Sequence, residues 1–147
     1  RVMDTHTDTL LKVIKVGGFP QEMALSRSRN YLFVTCMLDS LNRPLTPAAS
    51  GNVGTVFVID LTTDNVIKIL NGDFNTPHEL AIDEQDGLLY VASRNVYNGG
   101  IPPHHTTACG GNAGWYTVYD LNTLAPADNK RYEVSKDPYA MTARFEE

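Results

Sequence analysis

The chain has 147 residues, 42% of them hydrophobic and 20% charged, and a formal net charge of -5. This is an ordinary composition for one small domain, and its acidic balance excludes nucleic acid as a partner on bulk charge. No apolar run reaches the ~18 residues a membrane-spanning helix needs, so no membrane span is expected, and the opening RVMDTHTD lacks the apolar core of a signal peptide.

Extended runs follow one another along the whole chain. They are expected at about 1–4, 10–16, 20–25, 31–36, 55–60, 66–70, 77–82, 88–93, 115–120, 131–134 and 138–145. The first pair flanks Asp4 and Thr7, and the same Asp-x-x-Thr spacing returns at Asp60 and Thr63 and at Asp120 and Thr123. Each copy leads through a further strand to a proline, Pro20, Pro77 and Pro138. The aspartates stand 56 and 60 residues apart and the prolines 57 and 61. Ten residues after the first two prolines, Asn30 and Gly87 open the runs Tyr31 to Thr35 and Leu88 to Ala92.

Strand-only units at this period are the blades of a β-propeller, four antiparallel strands each, here named a to d from the channel to the rim. The order is c-d, then a-b-c-d twice, then a lone a, with blade boundaries near residues 18, 75 and 136. In the c strand, Val56 and Val58 point one way and Phe57 and Ile59 the other, as a blade covered on both sides requires. An aspartate at each c-to-d hairpin suits turn chemistry, its carboxylate accepting backbone N–H bonds. Asn30 and Gly87 occupy a-to-b turns that call for a positive φ. A helix of ten residues or more outside the long inserts would refute the reading.

VGGFPQEMALSRSRNYLFVTC (16–36), TVFVIDLTTDNVIKIL (55–70) and NTPHELAIDEQDGLLYVASRN (75–95) resemble the YVTN-type β-propeller repeats of bacterial periplasmic and cell-surface proteins. The resemblance covers nearly the whole chain and implies a periplasmic or surface location. Two full blades between two partial ones would leave unpaired edges, since propellers close with ~4–8 blades. The expectation is therefore the C-terminal part of one propeller domain, completed by an N-terminal portion as its first partner. The start at Arg1, inside a strand and without an initiator Met, fits that expectation.

Strand polarity sends the b-to-c and d-to-a connections to one face. The two b-to-c connections, Met37 to Gly54 and Arg94 to Gly114, run for 18 and 21 residues, longer than the ~12–15 at which loops become functional suspects. The second holds Arg94, His104, His105 and Cys109, with Trp115 just beyond and His78 and Glu79 opening the same blade. These six side chains, His78, Glu79, Arg94, His104, His105 and Trp115, form the expected binding surface; the plainer alternative is that they only pin the loop. Adjacent histidines have no ligand spacing, so neither a metal nor another cofactor is expected. Cys36 and Cys109 reach the same face from neighbouring blades, and the exported location the resemblance implies favours a disulfide between them over two buried thiols. Asp8-Thr9-Leu10 and Asp39-Ser40-Leu41 look like short bacterial O-glycosylation acceptors, a pattern brief enough to arise by chance.

The sequence holds no nucleophile elbow, phosphate loop or spaced carboxylate pair. The expected function is a non-enzymatic exported binding or scaffold module with a protein partner in a surface assembly. The alternative is a lactonase-like or metal-dependent hydrolase using His78, Glu79 and His104 or His105.

Overall fold

The computed structural model describes residues 1–38, 53–96 and 113–143. These residues form eleven strands and no helix. Strands β1 (Val2–Met3) and β2 (Leu10–Lys12) make a two-stranded sheet. β3 (Gly18–Ser26), β4 (Tyr31–Leu38), β5 (Thr55–Asp60) and β6 (Asn65–Leu70) make a four-stranded antiparallel blade in chain order. β7 (Pro77–Asp83), β8 (Leu88–Ser93) and β9 (Ala113–Asp120) begin the next, whose rim is shared by β10 (Ala125–Pro126) and β11 (Tyr132–Lys136), both paired to β9. The chain is thus all-β, with two complete β-propeller blades preceded by the two-stranded part of another.

The two complete blades match pair for pair. The β4 to β5 ladder runs from Tyr31 opposite Asp60 to Cys36 opposite Thr55, and the β8 to β9 ladder from Leu88 opposite Asp120 to Ser93 opposite Trp115. Both innermost strands carry an irregularity just after their proline, between Pro20 and Met23 and between Pro77 and Leu80. Proline has no N–H to give the ladder, so the register is interrupted where it sits.

Packing follows the alternation of β5. Val56 and Val58 enter a cluster with Phe33, Leu70 and Phe74 that meets Leu80, Leu89, Val91, Tyr119 and Leu121 of the following blade. Phe57 and Ile59 face the other way, packing with Val34, Cys36, Ile14 and Val16. Burial of each such side chain contributes ~1.5–3 kcal/mol, so blade-on-blade packing outweighs any single turn.

The turns are built as their residues suggest. Asp4 Oδ1 accepts the N–H groups of His6 and Thr7 at 2.8 and 3.0 Å, Asp60 Oδ1 those of Thr62 and Thr63 at 2.7 and 3.1 Å, and Asp120 Oδ1 those of Asn122 and Thr123 at 2.9 and 2.8 Å. Four residues after each aspartate the backbone turns left-handed, with φ of 53° at Asp8, 53° at Asp64 and 52° at Leu124. Asn30 and Gly87 have φ of 56° and 69°.

Three strands differ from expectation. The run expected at 10–16 ends at Lys12. The last rim strand is broken in two by Pro126 and by Asp128, which accepts bonds from the Tyr132 hydroxyl and the Lys130 N–H at 2.6 and 3.1 Å. The lone inner strand expected at 138–145 is not a strand over its described residues 138–143. Among the described residues no strand pairs with it, and a strand needs a paired neighbour to form its ladder.

Candidate functional site

The roots of both long connections meet at one place. Val53, at the end of the first, takes a bond from Thr76 N–H to its carbonyl at 2.8 Å and gives its own N–H to the Phe74 carbonyl at 2.7 Å. Asn95 and Val96, at the start of the second, donate to the Asn75 carbonyl at 3.0 Å and to Thr76 Oγ1 at 3.4 Å. The connection from β6 to β7 is therefore held between them, with Phe74 and Thr76 fully buried. Asn95 Nδ2 also donates to the Ala113 carbonyl at 2.8 Å, tying one end of the second connection to the other.

Beside this junction Arg94 is fully buried. Both of its nitrogens Nε and Nη2 meet the carboxylate of Asp137, the latter at 2.9 Å, in a two-pronged ion pair. A buried guanidinium is tolerated only when charge and donors are met this way. Its Cζ lies 5.3 Å from the centre of the Tyr139 ring, and that ring lies 4.0 Å from the His78 ring. Residues from β7, from the end of β8 and from the segment after β11 thus lock together.

The backbone makes this closure possible through a repeated device. The residue before each proline is left-handed, with φ of 51° at Phe19, 53° at Thr76 and 52° at Asp137. Each of the last two prolines then lies against a glycine of the preceding blade. A Cβ on Gly54 would stand 2.2 Å from Pro77 Cδ, and one on Gly114 2.3 Å from Pro138 Cδ.

His78 and Arg94 are brought together through Tyr139. Glu79 follows His78 on β7, and partial burial raises its carboxyl above the ordinary range; the Leu80 N–H pulls it down and the Glu22 charge adds to the rise. Trp115 is in a different place. Its Nε1–H donates to the Asp73 carbonyl at 2.7 Å, and Arg131 covers the indole at 4.3 Å while pairing with the Asp73 carboxylate at 2.7 Å. It therefore braces the connection from the preceding blade, whereas His78 and Arg94 grip the segment that follows. His104, His105 and Cys109 lie outside the described residues, as do Asp39 to Leu41. Cys36 is buried on the side facing β1 and β2, among Val34, Phe57 and Ile59.

Asp137, Tyr139, Asp73 and Arg131 were not singled out in the sequence. Asp137 had a usable signal, since it occupies the pre-proline position of the repeat opposite a buried arginine that needs an anion. Among the described residues no group of three His, Cys, Asp or Glu side chains is placed to hold a metal.

No family model matches the chain, and no curated protein matches it. Solved structures do. The β-propeller domain of Cps50 (Swd1) from Myceliophteria thermophila aligns with a TM-score of 0.56 and 15% identity, covering 88% of this chain and 30% of that one. Hydrazine synthase from Kuenenia stuttgartiensis aligns with a TM-score of 0.62 and 15% identity, covering 90% and 30%. The fold is a β-propeller, and the chain spans under a third of the length of these two chains.

Proposed function

We propose that this chain belongs to an exported β-propeller of the YVTN type, periplasmic or at the cell surface, that binds a protein partner through the face bearing its two long connections. The supporting observation is the shared anchorage: both connections are rooted on the single buried segment Phe74 to Thr76, beside a charge-paired closure in which the His78 and Tyr139 rings meet at a tilt. Binding loops work best when a rigid scaffold positions their ends. The Arg94 guanidinium is engaged by Asp137, so its role is to hold that scaffold. In an oxidising compartment a disulfide from Cys36 to Cys109 would restrain the second connection further. A mass gain on reduction of the native protein is the expected sign, and labelling of both thiols without reductant would exclude it.

A photo-crosslinking residue in place of exposed Asn71, on this face, is expected to give a discrete adduct in the native cell envelope. The same residue in place of exposed Gln85, at an a-to-b turn on the opposite face, is expected to give none. Adducts from Gln85 alone would place the interface on the wrong side, and adducts found only in the cytoplasmic fraction would remove the export.

A further inference from the structure

The rim of the second blade departs from the repeat where the two complete blades meet. Register sets Thr117 and Tyr119 of β9 in the places that Phe57 and Ile59 hold in β5, opposite Val91 and Leu89 as those are opposite Val34 and Leu32. In the first blade both places are apolar and packed, and the rim strand β6 follows them with one extra residue, Ile67. In the second blade Pro126 stands opposite Tyr119 and Tyr132 opposite Tyr116, so five rim residues, 127 to 131, span two of β9, 117 and 118. The surplus cannot lie flat on the ladder. It leaves a cavity of about 180 Å3 between this loop, Thr117 and Tyr119, and the Gly72 and Asp73 connection from the preceding blade.

The cavity is polar where the repeat is apolar. Thr117 is 7% exposed, and its Oγ1 is buried with no hydrogen-bond partner among the described residues. Buried hydroxyls are nearly always paired, so this one calls for a polar occupant. Tyr119 is 4% exposed, and burial, then the Asp73 charge, pushes its hydroxyl up to about 12, so it stays protonated and able to donate. Gly72 makes room for that hydroxyl, since a Cβ there would stand 1.8 Å from it. The charges around the cavity cancel. The Asp73 carboxylate is taken by Arg131 at 2.7 and 2.9 Å. The Asp128 carboxylate accepts from the Tyr132 hydroxyl and the Lys130 N–H, with the Lys130 charge beside it. Two anions and two cations leave no net charge to draw an ion, and what remains is hydroxyl and amide chemistry, with the exposed Asn129 at the mouth.

We propose that this cavity binds one hexose unit, a neutral sugar whose hydroxyls pair with Thr117 Oγ1 and the Tyr119 hydroxyl. A sugar hydroxyl donates and accepts at once, and so do both of these side chains. The volume agrees: at about 30 Å3 for each water, 180 Å3 holds about six waters, the space of a single sugar ring. The chemistry is shared by a free hexose and by the terminal unit of a glycan chain. The site lies between two complete blades and does not rest on the loop-face reading.

The test titrates the protein with D-glucose, D-galactose and D-mannose, and with their methyl glycosides, following backbone amide shifts by NMR. Saturable shifts centred on Thr117, Tyr119 and Asn129 are expected, with a millimolar dissociation constant. Thr117→Val keeps the side-chain shape and removes the hydroxyl, and is expected to weaken binding about tenfold, the worth of one hydrogen bond. Tyr119→Phe should do the same, so that a folding defect in one variant does not decide the matter, and Gln85→Ala at a distant turn should change nothing. Equal affinity for a methyl glycoside would mark a glycan end as the ligand, and its loss there a free hexose. No saturable shift with any of these sugars up to about 100 mM would mean a cavity filled by water only and would overturn the proposal. So would sugar binding indifferent to Thr117→Val, or a saturable response of the same amides to sodium acetate or ammonium chloride, because the site would then be ionic.

Discussion

The two ends of the blades repeat different things. At the turn end, Asp4, Asp60 and Asp120 repeat residue and geometry together, each carboxylate taking two backbone N–H groups. At the loop end only the backbone repeats: Phe19, Thr76 and Asp137 share a left-handed φ near 52° but nothing in their side chains. The residue at the position of Arg94 in the preceding blade is Met37, and that of His78 is Gln21. A repeat whose turn chemistry is fixed at one end is free to vary its side chains at the other, and there it gathers the buried charge, the His78 and Tyr139 ring contact and the long connections.

The largest expected effect comes from breaking the loop-end closure. Arg94→Ala leaves Asp137 a partly buried carboxylate without its cation, and loss of one partner of such a pair costs about 3–5 kcal/mol. Urea unfolding is the measurement. Arg94→Lys is expected to recover only part of the loss, because an ammonium cannot make the two-pronged contact. A shift of less than about 0.5 kcal/mol for Arg94→Ala, the range of a plain surface substitution, would mean that the loop end is not held by this pair.

Next in size is the glycine beneath the proline. Gly114→Ala would force its Cβ to 2.3 Å from Pro138 Cδ and 2.5 Å from the Ser93 carbonyl oxygen. Overpacking of this kind costs about 1–3 kcal/mol, and Gly54→Ala should cost at least as much because φ there is 107°. Thermal melts of the two variants would sharpen the comparison: equal losses would show that both loop ends use one backbone device, whereas a silent Gly114→Ala would confine it to Pro77.

What could be read in the sequence divides along the same line. The aspartate turns and the opposed faces of Val56 and Phe57 depend on contacts within a few residues or on strand parity, and both are visible in the residues themselves. The gathering of His78 and Arg94 on one face also follows from strand polarity. Trp115 lies at the same end of the blade but opposite Ser93, one position out of step with Arg94, so its side chain leaves the other side of the sheet. The strand expected at 138–145 is absent over its described residues 138–143 for a non-local reason, since a strand exists only beside a partner. The pre-proline position of Asp137 is visible in the repeat, but its pairing with Arg94 is a contact 43 residues away in the chain and is not.

A smaller effect tests the turn end through its charges. The Thr123 N–H and hydroxyl, with the Asn122 N–H, hold the Asp120 carboxyl below its ordinary 3.8, and the His6 and Thr7 N–H groups lower Asp4. A lowered folded value means that each carboxylate's stabilisation is complete above the unfolded value and is lost as pH falls through the folded one. Carboxyl titration by NMR should therefore place both midpoints below 3.8. Thr123→Val removes one donor and should move Asp120 up while leaving Asp4 in place. If Asp4 moved as well, the turns would not be independent copies; if neither moved, the Thr123 hydroxyl would not hold the Asp120 carboxylate.

The smallest effect has the opposite sign and lies at the loop end. Partial burial, then the nearby Glu22 charge, raises the Glu79 carboxyl above its ordinary 4.5. The folded state then holds this proton more tightly than the unfolded one, so ionisation costs stability as pH rises through 4.5, and the deficit is complete above the folded value. Glu79→Gln should accordingly make the protein slightly more stable at neutral pH, with the gain vanishing below the unfolded value, and Glu22→Gln should give part of it. Paired urea midpoints across that pH range would read both. A loss of stability in Glu79→Gln at neutral pH would mean that the carboxylate is held by a cation or donor on this face, and the loop end would then carry a second charge-paired contact beside Arg94 and Asp137.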